Sequence, residues 1–174
     1  MKRKPAVWKI NKRTLNRKLL IHLGWNRLQQ GLSQREQWLL PLKQHAPHGL
    51  DASTELFPDQ EDIDLIETLM SEHNLLPSGF IAIGPSASQP LKCWPLLHFT
   101  HLTEMLIQSR WEIVLVGGPD EPEPELLKEE FGDKIINLAG RLSPLQTAEL
   151  LRNARYLVAN DTSLVHLAEA MGTP

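Results

Sequence analysis

From residue 79 onward, short apolar runs alternate four times with longer stretches of helical periodicity. Few folds admit that pattern. Phe80–Ile83, Trp111–Val116, Lys134–Leu138 and Tyr156–Ala159 read as strands of the kind buried on both faces, and Pro95–Ser109, Pro122–Phe131 and Pro144–Asn153 read as the helices between them. The prolines fall near helix starts, where a missing N–H costs little. A last helix follows Ala159, with Leu164, Leu167, Ala168 and Met171 as its buried stripe and Gly172 as its stop. Strands regularly spaced by helices imply right-handed βαβ units, hence an α/β fold built on a parallel sheet.

In a doubly wound sheet, ligands bind beyond the carboxyl ends of the strands, so the residues leaving each strand carry the functional information. All four exits are chemically loaded. They read Gly84-Pro85-Ser86-Ala87-Ser88 with Lys92-Cys93-Trp94-Pro95 beyond, Gly117-Gly118-Pro119-Asp120-Glu121, Ala139-Gly140-Arg141-Leu142-Ser143, and Asn160-Asp161-Thr162-Ser163. Small residues let backbone amides approach phosphate, hydroxyls donate to it, a lysine supplies the counter-charge, and a carboxylate accepts from two ribose hydroxyls. At the fourth exit the helix dipole favours an anion. His166, roughly 150° from the buried stripe of that helix, faces solvent or whatever covers the helix N-terminus. Together the four loops describe a site for a nucleoside diphosphate.

Each loop alone has a plainer reading. Gly117-Gly118 is an ordinary tight turn, Glu121 a solvated acid at a helix start, Lys92 a surface charge, Trp94 a packing residue and Asp161 a helix cap. Their coincidence at one sheet edge favours the site. Without G-x-G-x-x-G or G-x-x-x-x-G-K-S/T, neither a nicotinamide dinucleotide nor an ATPase phosphate loop is expected. His98 and His101 have a metal-compatible spacing but lack companion ligands, so they are expected on a helix surface and no metal is assigned.

Four motifs occurring in order resemble glycosyltransferase family 9, the heptosyltransferases of bacterial lipopolysaccharide synthesis. Residues 160–174 resemble the family's N-D-S/T-G-x-x-H-x-A-x-A-x-G-x-P, matching at Asn160, Asp161, Thr162, His166, Ala168, Ala170, Gly172 and Pro174, with Ser163 in place of glycine. Ser86 to Pro95 resembles the first-strand loop ending K-R/H-W-P, with Cys93 as a departure; Gly117 to Glu121 resembles G-G/A-P-x-E; Leu138 to Leu145 resembles L-A-G-x-x-S-L. The resemblance implies a Rossmann-like doubly wound parallel sheet with flanking helices, the C-terminal half of a GT-B architecture, over residues 78–174. Residues 1–77 are then the mainly helical, irregular end of an N-terminal domain and its linker.

The resemblance further implies that Lys92 and the Ser86/Ser88 loop hold the diphosphate, Glu121 the ribose and Leu142 the adenine. Asp161 touches the donor sugar, while Thr162, Ser163 and His166 close over phosphate. The donor is then ADP-heptose and the acceptor the lipopolysaccharide inner core at the membrane surface, in an inverting, metal-independent transfer without a cofactor. The general base is expected outside this stretch, in an N-terminal part that the chain lacks, so no catalytic residue is assigned. A non-catalytic nucleotide-binding module and another GT-B enzyme, such as a nucleotide-sugar epimerase, are the alternatives.

Composition fits this reading. At 174 residues and 41% hydrophobic content the chain suffices for one core plus an appendage, short of a two-domain transferase. The single Cys93 and the absence of a long apolar run lead to the expectation of a cytoplasmic protein, peripheral at most at the inner membrane. The net charge of −3 conceals +10 over residues 1–35 and −13 over the rest. That basic arm suits an anionic surface or a phosphorylated acceptor. No aromatic stacking pattern accompanies it, so nucleic acid is not an expected partner.

Overall fold

The computed structural model describes residues 14–25, 34–45 and 52–174. Residues 1–13 and 26–33, with most of the basic arm, and residues 46–51 lie outside the described residues. The chain forms two compact units, Met1–Ser53 and Thr54–Pro174.

In the first unit, α1 (Thr14–Leu23) lies within the basic stretch and ends on Gly24, whose φ of +67° only glycine adopts without strain. There the amides of Gly24 and Trp25 bond back to the carbonyls of Leu20 and Leu19 at 3.1 and 3.3 Å, satisfying the last turn. Helix α2 (Gln34–Leu39) passes into a 3-10 turn, Leu40–His45. Regular α-helix thus gives way to a 3-10 turn at Leu40, next to Pro41, which has no N–H to continue the α-helical ladder.

The second unit opens with α3 (Gln60–Glu72), capped by the Asp59 carboxylate accepting from the Asp62 amide at 2.9 Å. The βα alternation then appears as β1 (Phe80–Gly84), α4 (Leu96–Gln108), β2 (Glu112–Leu115), α5 (Glu123–Phe131), β3 (Ile136–Asn137), α6 (Pro144–Asn153), β4 (Tyr156–Ala159) and α7 (Ser163–Met171). The sheet is wholly parallel in the order β3-β2-β1-β4, with Ile81 opposite Ile113 and Ala82 opposite Leu157.

Side-chain alternation divides each central strand between two cores. Phe80, Ala82, Val114 and Val116 pack with Ile66 and Met70 of α3, Leu150 and Leu151 of α6, and Leu164 and Ala168 of α7. Ile81, Ile83, Ile113 and Leu115 pack with Phe99 of α4 and Leu127 of α5 on the other face. Every residue of β1 is buried, which explains its unbroken apolar run. Helix α3, although it precedes the boundary expected at residue 78, contributes Ile66 and Met70 to the first core.

One strand differs from its sequence reading. The run Lys134–Leu138 yields only the two-residue β3, preceded by a 3-10 turn at Gly132–Lys134. β3 is the edge strand; the Leu138 and Gly140 amides still bond to the carbonyls of Leu115 and Gly117 at 3.0 and 2.9 Å, while the Asn137 side chain accepts from the Ala139 amide at 3.0 Å. Upstream, Lys128 Nζ donates to the carbonyls of Gly132 and Ile135 at 2.8 and 3.0 Å and holds the turn.

The strand order sets the position of any ligand. From β1 the chain steps outward to β2 and β3, then returns across the sheet to place β4 on the opposite side of β1. The helices that follow β1 and β4, α4 and α7, therefore pack on opposite faces of the sheet, which makes this edge the switch point where a ligand is expected.

Candidate functional site

At the first exit, Gly84 lies so close to α7 that an added methyl would run into Leu164 Cδ1 and lie 3.2 Å from Ala159 Cβ. A larger residue there would require the Leu164 side chain to shift. Beyond it Ser86 is buried, and its hydroxyl donates to Glu123 Oε2 at 2.7 Å, tying the β1 exit to the first turn of α5.

The second and third exits are joined to each other. Gly140, at φ +72°, donates its amide to the Gly117 carbonyl at 2.9 Å, and a methyl on it would sit 2.6 Å from Pro119 Cα. The Glu121 carboxylate folds back onto Gly117 and Gly118, so this acid is half-buried rather than the solvated residue its position alone suggests. Leu142 follows, half-buried, and Ser143 caps α6 reciprocally with Gln146 at 3.2 and 2.9 Å.

At the fourth exit the helix cap is Thr162, whose Oγ1 accepts from the Leu164 amide at 3.3 Å. Asp161 therefore does not cap. Its carboxylate turns outward and pairs with Lys92 Nζ at 2.6 Å. Lys92 holds the Asp161 carboxyl below the ordinary carboxylate value of 3.8, first through this hydrogen bond and then through its charge, with a smaller contribution from His166 against slight desolvation. Asn160, buried beside it, accepts from the Trp94 amide and donates to the Pro85 carbonyl.

Ser86, Glu121, Leu142, Thr162 and Ser163 line one open cleft of about 320 Å3, together with Gly117, Gly118, Pro119 and the apolar side of α7. Five of the nine residues expected from sequence thus share one cavity. Lys92 and Asp161 stand outside that lining as a pair, and Ser88 and His166 are exposed. Sequence reasoning passed over Glu123, Thr147 and the structural part played by Asn160. A polar residue directly after an apolar strand was the available signal for the last.

The cleft offers backbone amides of the α7 N-terminus with hydroxyls for an anion, a carboxylate for a diol and apolar surface for a ring. His98 and His101 are exposed on α4, where His98 stacks on Trp94 with ring centroids 5.1 Å apart. Among the described residues no three His, Cys, Asp or Glu side chains converge as a metal site would require, and no helix is long and apolar enough to cross a membrane.

The family model described as glycosyltransferase family 9 (heptosyltransferase) matches residues 18–174. Lipooligosaccharide heptosyltransferase 2 of Haemophilus influenzae is 37% identical over 90 residues, 49% of this chain and 26% of the relative. Lipopolysaccharide heptosyltransferase 3 of Escherichia coli is 26% identical over 107 residues, 59% and 32% of the two chains. Among solved structures, a glycosyl transferase family 9 protein from Veillonella parvula superposes with a TM-score of 0.70 at 20% identity, covering 85% of this chain and 44% of that one. The E. coli heptosyltransferase WaaC with ADP gives 0.61 at 21% identity, covering 84% and 44%. The chain thus spans about a third or less of the curated relatives and under half of the solved chains.

Proposed function

This chain belongs to glycosyltransferase family 9, and we propose that its cleft is the donor half-site of an inverting transferase moving heptose from ADP-heptose to the lipopolysaccharide inner core. The observation that carries the proposal is the convergence of all four strand exits on one cleft at the switch point of the sheet.

Glu121 is suited to accept hydrogen bonds from the ribose hydroxyls, and Leu142 to lie against the adenine. The diphosphate occupies the N-terminus of α7 under Thr162 and Ser163, with Lys92, Ser86, Ser88 and His166 around it. Asp161 then faces the sugar. In the transfer an acceptor hydroxyl attacks the anomeric carbon from the face opposite the diphosphate, the bond to the diphosphate oxygen breaks, and ADP leaves. Lys92 and the dipole of α7 stabilise the charge that develops on that oxygen, the part a metal ion plays elsewhere. The proton goes to a general base outside the described sheet unit. The acceptor sits at the cytoplasmic face of the inner membrane.

Calorimetric titration of the chain with ADP, UDP and GDP tests the donor assignment. ADP is expected to bind most tightly. Preference for UDP would instead favour a nucleotide-sugar epimerase type of GT-B site, and binding of none of the three would remove the donor-site reading.

A further inference from the structure

Two contacts join the loop between β1 and α4 to the exit of β4, and they differ in kind. Lys92 and Asp161 meet at the surface as a charged pair. Two residues further on, the Trp94 amide donates to Asn160 Oδ1 at 2.9 Å, while Asn160 Nδ2 donates to the Pro85 carbonyl at 2.7 Å in the interior.

Asn160 is 6% exposed; its bond to Pro85 is buried and its bond to Trp94 half-buried. A carboxamide presents an acceptor and donors from one short stem; an ionised carboxylate offers no donor and an aliphatic side chain offers neither. Leaving the Pro85 carbonyl unpaired here incurs the desolvation cost of a buried polar group, and leaving the half-buried Trp94 amide unpaired incurs part of it. The two bonded positions, 85 and 94, are the two ends of the loop that carries Lys92.

We infer that Asn160 is a positioning residue, a buried carboxamide that pins both ends of the 85–94 loop and thereby holds Lys92 against Asp161 at the mouth of the cleft. It acts through Lys92 and does not itself touch the ligand. The consequence for nucleotide binding rests on the donor-site reading; the consequence for the Lys92–Asp161 pair does not.

The test uses the full chain and three readouts. In Asn160→Ala, or in the milder Asn160→Ser, the Asp161 carboxyl followed by NMR without nucleotide is expected to titrate closer to 3.8 than in the parent chain, while the amide signals of β1 and β2 stay in place. In Lys92→Met, the side-chain amide protons of Asn160 are expected to remain protected, because the dependence runs from Asn160 to Lys92. ADP affinity should fall on the order of tenfold in Asn160→Ala and in Lys92→Met, with the double variant no weaker than Lys92→Met alone. An unmoved Asp161 titration in a folded Asn160 variant, lost protection of Asn160 in Lys92→Met, or additive losses of ADP affinity would each overturn the inference. A parent chain that binds no ADP would count against the donor-site reading, while the first two readouts would still decide the role of Asn160.

Discussion

The ammonium of Lys92 lies 2.6 Å from Oδ2 of Asp161, across 69 positions of sequence. The cation assigned to phosphate and the carboxylate assigned to sugar are therefore each other's partners in the free protein. Their side chains remain 40% and 74% exposed, so the pair is readily exchanged and adds little to stability. On the proposed donor-site reading, a bound diphosphate would compete with Asp161 for Lys92 and release the carboxylate towards the sugar.

Asp161→Asn in the complete enzyme is expected to leave ADP affinity undiminished, because Lys92 loses a competitor, and to lower turnover of the nucleotide sugar on the order of tenfold, one charge-assisted hydrogen bond. Steady-state kinetics beside ADP calorimetry checks this. Unchanged turnover would remove Asp161 from the sugar site.

The stability of α7 should follow its neighbour instead. Thr162→Ala removes the hydroxyl that accepts from the Leu164 amide and is expected to cost about 1 kcal/mol in urea unfolding. Asp161→Asn should leave the unfolding midpoint nearly unmoved. The reverse ranking would mean that Asp161 is the cap.

Asp161 also sets a pH dependence. Its folded-state pKa lies below the ordinary 3.8, so between those two values the unfolded chain binds more protons and stability rises with pH. The contribution is complete above 3.8 and is lost as pH falls through the folded value. In Lys92→Met the carboxyl should titrate near 3.8, and any stability difference from the parent at pH 6 should close under acid. A difference that persists at the lowest pH would assign it to Lys92 packing.

Two glycines separate conformational strain from crowding. Gly172→Ala forces a side chain into φ +75° in open space and is expected to cost about 1 kcal/mol. Gly140→Ala has a similar φ of +72° but also drives a methyl into Pro119, so its cost should exceed that of Gly172→Ala by about 1 kcal/mol or more. Equal unfolding midpoints would show that the Pro119 turn yields freely.

The sequence pattern disclosed the sheet because strand and helix periodicity are local, and because β1 and β2 are buried on both faces. Pro144–Asn153 and Tyr156–Ala159 appear at the expected bounds, and the four exits meet at one edge as parallel topology requires. The shortness of β3 escaped notice because the apolar run Lys134–Leu138 does not show that a 3-10 turn, Gly132–Lys134, reaches into its start at the edge of the sheet. Pairings across long separations, Ser86 with Glu123 and Lys92 with Asp161, leave no periodic trace and emerge only when the loops are brought together.

The placement of β4 beside β1 also bears on how the unit folds. Strands β1, β2 and β3 are joined by successive short crossovers, whereas the β4 side closes only across contacts such as Asn160 with Pro85, 75 positions apart. Loop-closure entropy makes such non-local pairings slow to form. The cleft and the pairing of β4 with β1 share these contacts, so a nucleotide bound as proposed would favour the assembled topology and is expected to slow unfolding more than it speeds folding.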